Sequence, residues 1–254
     1  MTIQVFTTVV NRPNFVEIQQ KLFQKFLKDE YQFHVVDDSV DEDISKEFKN
    51  LCLNNNISYY KKPSITSPMN PAQSCAAAVQ WTYDNIIAKK YSEDIVFFCD
   101  SDMFLLEEFN ITEYMKDTVI SGLPQTREHV KYMWNGIMFF DMEKVFEIDP
   151  DLNFSDGMVD GELTDIGGHF YYYFKKNNVI MKETDVTYPT HFNDIEIQSD
   201  EITNGFNFEL HLNGKFLHYR AGTNWHTQSS WKTKKDPLNK KEEIFNQIVQ
   251  SFFN

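Results

Sequence analysis

The chain has 254 residues, with 24 Lys and Arg against 38 Asp and Glu, for a formal charge of −14. It is 41% hydrophobic and 15% aromatic, with 23 Phe. That is far too much apolar surface for a disordered chain, and the length suits one large or two small folded domains. The acidic balance supplies no basic face for neutralising phosphates, which argues against nucleic acid as a partner. Cys52, Cys75 and Cys99 lie in separate segments without CxxC spacing, so they read as small buried hydrophobes in a reducing compartment rather than as a disulfide or zinc framework. No run approaches roughly 18 apolar residues and no basic leader precedes an apolar core, which predicts a cytoplasmic chain without a membrane span. Nothing in the sequence fixes an oligomeric state.

The first hundred residues alternate apolar strands with helical patterns. Ile3 to Val10 reads as a strand, and Phe15, Ile18, Leu22, Phe23 and Phe26 recur at helical spacing after it. Tyr31 to Val36 is a second strand ending in Asp37-Asp38, followed by a helix near 44–55 and a third strand over 57–61. Three prolines punctuate 63–71, then Ala72 to Lys90 predicts an Ala-rich helix and Asp94 to Cys99 a fourth strand. The order βαβαβαβ implies a parallel sheet covered by helices. In the second half, 118–123 and 136–141 read as strands, 142–146 as a short helix, and 170–176 as helical after the Gly- and Asp-rich stretch 156–168. Residues 206–212 and 215–219 flank Asn213-Gly214, a hairpin signal because Asn-Gly suits a type I′ turn. An amphipathic helix over 242–253 closes the chain. The expectation is one α/β domain over 1–254, with a nucleotide-binding half at 1–103 and a more irregular, antiparallel half at 104–254 that ends in the helix.

Three Asp-x-Asp matches occur, at Asp41/Asp43, Asp100/Asp102 and Asp149/Asp151. The first lies in an acidic polar run and the third flanks a proline, so both read as solvated loops. The Asp100 pair, with Ser101 between, follows the uninterrupted apolar run Ile95 to Cys99 and so stands at the carboxyl edge of the sheet, where ligands of open α/β folds bind. Two carboxylates that close repel unless a proton or cation intervenes, and a hard divalent cation with oxygen ligands can bridge them to a diphosphate. Asp37 and Asp38, at the end of the second strand, are candidates to accept hydrogen bonds from a base or ribose.

A strand running into Asp-x-Asp after a nucleotide-binding first half resembles the GT-A-fold glycosyltransferases, whose motif holds Mn2+ or Mg2+ on the diphosphate of a sugar nucleotide. Asn70-Pro-Ala-Gln-Ser74-Cys-Ala-Ala77 is similar to the segment that approaches the nucleotide in that family. Trp134-Asn135-Gly136-Ile-Met-Phe-Phe-Asp141 resembles the strand that faces donor sugar and acceptor. Leu217-His218-Tyr-Arg-Ala-Gly222-Thr-Asn224-Trp225 resembles the late His segment of the glycogenin-like retaining enzymes, whose His is the third protein ligand of the metal. This chain has one extra residue between His218 and Gly222, and Asn224 stands where that family keeps a phosphate-binding Lys. The resemblance implies metal ligands Asp100, Asp102 and His218, and a base bordered by Thr7, Thr8, Val9 and Arg12. With Asn224 in place of the Lys, diphosphate charge would fall to the metal, to backbone near Gly222, to Arg220 or to a lysine of 232–235.

The reaction so implied is transfer of a hexose from a UDP-sugar to a hydroxyl of a carbohydrate or glycoconjugate acceptor, more readily with retention than with inversion. Asp160 and Glu162, in the acidic Gly-containing loop, are the candidate catalytic carboxylates. Two other readings stand beside it. One is a non-catalytic nucleotide-sugar or carbohydrate-binding module on the same fold. The other is a phosphotransfer enzyme using Asp100, although the residue two beyond Asp102 is Phe104, where the Asp-nucleophile phosphatases usually carry Thr or Val.

Overall fold

The computed structural model describes residues 2–63, 71–198, 208–220, 222 and 235–253. The elements in chain order are β1 (Ile3–Val9), α1 (Pro13–Phe26), β2 (Tyr31–Asp37), α2 (Glu42–Asn54), β3 (Ser58–Lys61), α3 (Pro71–Thr82), a π-helical turn (Tyr83–Ile87), α4 (Ala88–Lys90), β4 (Ile95–Cys99), β5 (Met103–Leu105) and α5 (Ile111–Met115). They continue as β6 (Ile120–Arg127), β7 (Val130–Asp141), α6 (Met142–Ile148), β8 (Gly157–Val159), β9 (Glu162–Thr164), α7 (Phe170–Asn177), β10 (Lys182–Glu183), β11 (Val186–Thr187), β12 (His191–Phe192), β13 (Ile195–Glu196), β14 (Glu209–His211), β15 (Phe216–His218) and α8 (Lys235–Ser251). The fold is α/β, with a mostly parallel central sheet flanked by helices and smaller antiparallel sheets.

Two compact units are each assembled from three stretches of chain, the first from Met1–Pro13, Lys28–Asp100 and Asn110–Thr184, the second from Asn14–Leu27, Ser101–Phe109 and Asp185–Asn254. In the first unit a seven-stranded sheet runs β10-β6-β7-β4-β1-β2-β3, with β4, β1, β2 and β3 parallel and β7 antiparallel to both β4 and β6. Strand β4 is continuously apolar, and both it and β1 are buried along nearly their whole length because both of their faces are covered. Phe97 and Phe139 are directly paired across β4 and β7, and their rings stack at 4.4 Å.

Two features of this unit depart from the sequence reading. The predicted helix over Ala72 to Lys90 is interrupted by the π turn, which begins where the Thr82 hydroxyl donates back to the Ala78 carbonyl at 2.7 Å and competes with the helical ladder. Strands β6 and β7 are longer than predicted and form a hairpin through Glu128-His129, with a register irregularity after Gly122. The far end of β6 is exposed and polar, so its residues carry no apolar alternation to reveal it.

The second unit is built on a four-stranded sheet, β11-β14-β15-β5, antiparallel throughout. The predicted hairpin is present. Asn213 and Gly214 take φ of 54° and 85°, as a type I′ turn requires, and the Lys215 N–H donates to the Leu212 carbonyl at 3.2 Å. One face of α1 and one of α8 meet in an apolar cluster of Phe15, Leu22, Phe104, Leu217, Tyr219 and Phe245. The buried Gln19 side chain donates to the Met103 carbonyl at 2.9 Å and so ties α1 to β5.

Candidate functional site

The second unit gathers ionisable side chains where an interior would ordinarily be apolar. Counting outward from the Asn213-Gly214 turn, the hairpin register sets Glu209 on β14 directly opposite His218 on β15, and His218 in turn opposite Met103 on β5. Asp102 immediately precedes β5, and its carbonyl accepts from the Tyr219 N–H at 2.8 Å. Register therefore brings a carboxylate to each side of one imidazole. His218 Nδ1 lies 2.8 Å from Glu209 Oε2, and His218 Nε2 lies 3.5 Å from Asp102 Oδ1. His211 Nε2 approaches the same Glu209 oxygen at 3.3 Å, and Arg220 Nη1 reaches Glu209 Oε1 at 3.2 Å. Asp102, Glu209, His211 and His218 are all buried.

The electrostatics follow from that geometry. Burial pulls the His218 imidazole down, but the carboxylates of Asp102 and Glu209 outweigh it and lift the pKa to about 9. Burial pushes Asp102 up, and His218, the Gly222 N–H and Lys241 bring it below the ordinary carboxylate value. Glu209 is likewise held low against its burial, by His211, His218 and Arg220. His211 is lowered by burial, which its contact with Glu209 only partly offsets.

Two further groups fix the segment that carries these side chains. The Gly222 N–H donates to Asp102 Oδ2 at 2.6 Å, and a Cβ at Gly222 would come within 2.8 Å of the Phe15 and Tyr219 rings and 2.9 Å of Asp102 Cβ. Only glycine lets the backbone approach the carboxylate that closely. Lys241 of α8, buried with its pKa drawn down to about 7 by desolvation, donates to the carbonyls of Tyr219 and Arg220 at 3.0 and 2.9 Å. The sequence motifs point to none of Glu209, His211 and Lys241. A signal for Glu209 does exist, since the Asn-Gly turn dictates which residue faces His218.

The remaining candidates of the second unit are few. Ser101 is buried beside Asp102 in sequence. Asn224 and Trp225 lie outside the described residues, as does Asn70 of the first unit and the run 232–234.

The first unit holds the other candidates at the carboxyl ends of its parallel strands. Thr7, near the end of β1, is fully buried, and its hydroxyl has no partner among the described residues; Val9 is buried, Thr8 half-buried, and Arg12 turns the chain with φ of 64°. Asp37 and Asp38 follow different routes. Burial pushes Asp37 up, but hydrogen bonds from Ser39 and Tyr59 hold it low, and Lys61 lies 3.2 Å away. Asp38 accepts from Lys62 Nζ and from the Ser74 hydroxyl, both at 2.6 Å. The structure thus brings Asp38 and Ser74 together and adds Lys62, a residue without any motif to announce it. Asp100 follows β4, and its N–H donates to the Gly136 carbonyl at 3.0 Å. The Asn135 amide donates to the Phe154 carbonyl at 3.2 Å, while its Oδ1 is buried without a partner among the described residues.

Asp160 and Glu162 lie on the β8–β9 hairpin. Asp160 and Gly161 take φ of 50° and 90°, forming its two-residue turn. Asp160 is exposed and held below the ordinary carboxylate value, chiefly by the Tyr171 hydroxyl at 2.8 Å. His129 and Lys175 stand 3.4 and 3.8 Å from its carboxylate. Glu162 is half-buried on β9. Among the described residues no helix is long and apolar enough to cross a membrane.

No protein-family model matches this chain, and no curated protein does. Solved structures do. A mannosyltransferase from Pyrobaculum calidifontis in complex with GDP-Man and Mn2+ is 11% identical, with a TM-score of 0.42 over 59% of this chain and 48% of its own. The galactosyltransferase LgtC in complex with donor and acceptor sugar analogues is 15% identical, with a TM-score of 0.38 over 59% of this chain and 61% of its own. TarS of S. aureus in complex with UDP is 13% identical, with a TM-score of 0.40 over 61% of this chain and 50% of its own. The match thus spans about half to three fifths of those chains.

Proposed function

We propose that this chain is a GT-A-type, metal-dependent glycosyltransferase that moves a hexose from a UDP-sugar to a hydroxyl of a carbohydrate or glycoconjugate acceptor. The observation that carries the reading is the buried pair of Asp102 and His218, with Nε2 and Oδ1 3.5 Å apart. Neighbouring ligands of one octahedral ion lie roughly 3 Å apart, so this spacing suits two ligands of a single cation. The donor set also fits: a carboxylate and an imidazole suit Mn2+ or Mg2+ bound next to phosphate oxygens. Asp100, two residues earlier along the chain, completes the proposed ligand set. When bound, the ion supplies a Lewis acid that neutralises charge on the departing diphosphate.

The chain's own residues do the rest. Gly222 and Lys241 hold the Asp102 and His218 segments in place, so the ligands need no reorganisation on binding. Thr7, Thr8, Val9 and Arg12, with Asp38, Lys62 and Ser74, border the nucleotide at the carboxyl ends of β1 and β2. Asn135 and Gly136 face the donor sugar. Asp160 or Glu162, on the exposed β8–β9 hairpin, engages the acceptor hydroxyl.

The test is donor hydrolysis. Incubation with UDP-glucose or UDP-galactose should release UDP only when Mn2+ is present, and Asp102→Ala should lower that rate at least about 100-fold, to background. Turnover that is indifferent to Mn2+ and to Asp102→Ala overturns the proposal. Thermal stabilisation by UDP with Mn2+, without turnover of any donor, would instead identify a binding module. NMR of the first-formed product decides stereochemistry, since a β-linked product from an α-linked donor rules out retention.

A further inference from the structure

Resting on that reading of His218 as a metal ligand, we infer that Glu209 is a positioning residue for it. Its carboxylate fixes the Nδ1–H of His218 so that Nε2 is turned toward Asp102, while His211 and Arg220 hold the carboxylate still. An imidazole can present only one ring nitrogen to a cation, and the partner of the other nitrogen decides which one. Here Nδ1 is 2.8 Å from Glu209 Oε2, and Nε2 is the atom facing Asp102. Glu209 is the cross-strand neighbour of His218, so backbone register, not a flexible side chain, sets their approach.

Glu209 is itself restrained on both oxygens. His211 shares its strand face at i+2 and contacts Oε2 at 3.3 Å, and Arg220 contacts Oε1 at 3.2 Å. Glu209, His211 and His218 also place ligand atoms within 4.8 Å of one another and so form a rival site of their own. The geometry favours the positioning role. An N···O separation of 2.8 Å is that of a hydrogen bond with a proton between the atoms, and a guanidinium within 3.2 Å adds a positive charge where a cation would have to sit.

The experiment measures Mn2+ affinity from the free-ion EPR signal, with UDP present, for the wild-type chain and for Glu209→Gln, Glu209→Ala, His218→Ala and Asp102→Ala. Histidine ring tautomers are followed in parallel, by long-range proton–nitrogen NMR on the metal-free proteins at about pH 10, where the His218 ring, with its pKa of about 9, is neutral. The expected result is a loss of about 10-fold in Glu209→Gln, which keeps an acceptor for Nδ1–H, and up to about 100-fold in Glu209→Ala. A single Nδ1–H state should be replaced by a mixture in Glu209→Ala, with metal-free UDP affinity unchanged in both variants. A merely structural role would not produce that split, nor the partial rescue by Gln. If Glu209→Ala does not fold, Glu209→Gln alone decides, and wild-type Mn2+ affinity in it overturns the inference. Wild-type affinity in His218→Ala, or no Mn2+ binding by the wild type, overturns the metal reading instead. Binding that survives Asp102→Ala and vanishes in Glu209→Ala places the ion on Glu209 and overturns the positioning role.

Discussion

His34 of the first unit and His218 of the second are both buried on β-strands, yet their surroundings drive them in opposite directions. His34 on β2 stacks on Phe6 at 4.4 Å and donates from Nε2 to the neutral amide oxygen of Gln4 at 2.7 Å. Desolvation, with Lys90 adding to it, lowers its pKa to about 4, so the ring stays uncharged. His218 meets a carboxylate at each ring nitrogen and is raised to about 9. Burial alone makes an imidazole a neutral aromatic; burial between two carboxylates makes it half of a charged network. The first environment is that of a packed core. The second costs several kcal/mol per desolvated ion, a cost that folds tolerate where the charges have another task.

The apolar side of this contrast breaks most severely at Phe140, in the first unit. Phe140 is buried on β7, beside Phe154 and Phe170 at centroid distances of 6.0 and 6.1 Å. Phe140→Ala should lose about 3–5 kcal/mol in urea denaturation, because a cavity remains where an aromatic ring was. A loss below about 1 kcal/mol would mean that this interior is not the apolar framework described.

Acid sharpens the same contrast at His34. Its unfolded pKa is near 6.5 and its folded value about 4, so between those limits the unfolded chain binds a proton that the native state refuses. The contribution is fully present above pH 6.5 and is lost as pH falls toward 4, at about 1.4 kcal/mol per unit and about 3 kcal/mol in total. Equilibrium unfolding measured between pH 7 and 4 should show this slope, and His34→Gln, which cannot titrate, should flatten it. An identical pH profile in the variant would show that the ring is already accessible to protons in the native state.

How much of this is legible in the sequence divides along the same line. The strands and helices of residues 3–99 are readable, because β4 is an unbroken apolar run, β1 and β2 are rich in β-branched and aromatic residues, and the helices between them carry 3.6-residue periodicity. The pairs β8–β9 and β12–β13, of two or three residues per strand, are not, since so short a segment shows no period. Asp102 and His218 are visible as a motif and a late His segment. Glu209 escapes because a carboxylate just after Asn204 and Asn207 looks solvated until the pairs of the hairpin are counted outward from its turn. Lys62 and Lys241 carry no signal at all: a lysine reads as surface, and only the tertiary structure shows Lys62 4% exposed against Asp38 and Lys241 1% exposed beneath the Tyr219 and Arg220 carbonyls.

The smallest effect bears on what holds the charged network in register. At Gly214, φ is 85°, and an added Cβ would find only Leu210 Cδ1, at 4.0 Å, so Gly214→Ala is opposed by backbone conformation and by nothing else. The expected loss in urea denaturation is about 1 kcal/mol. Its consequence is larger than its size, since a one-residue slip of β14 against β15 would turn Glu209 to the opposite face from His218. If the turn sets the pairing, Gly214→Ala should also broaden the His218 ring signals as the hairpin samples other registers. Sharp, unshifted signals together with the stability loss would assign the register to the apolar partners of the sheet, with Leu217 and Phe216 buried on β15, and would leave the turn only the task of closing the loop.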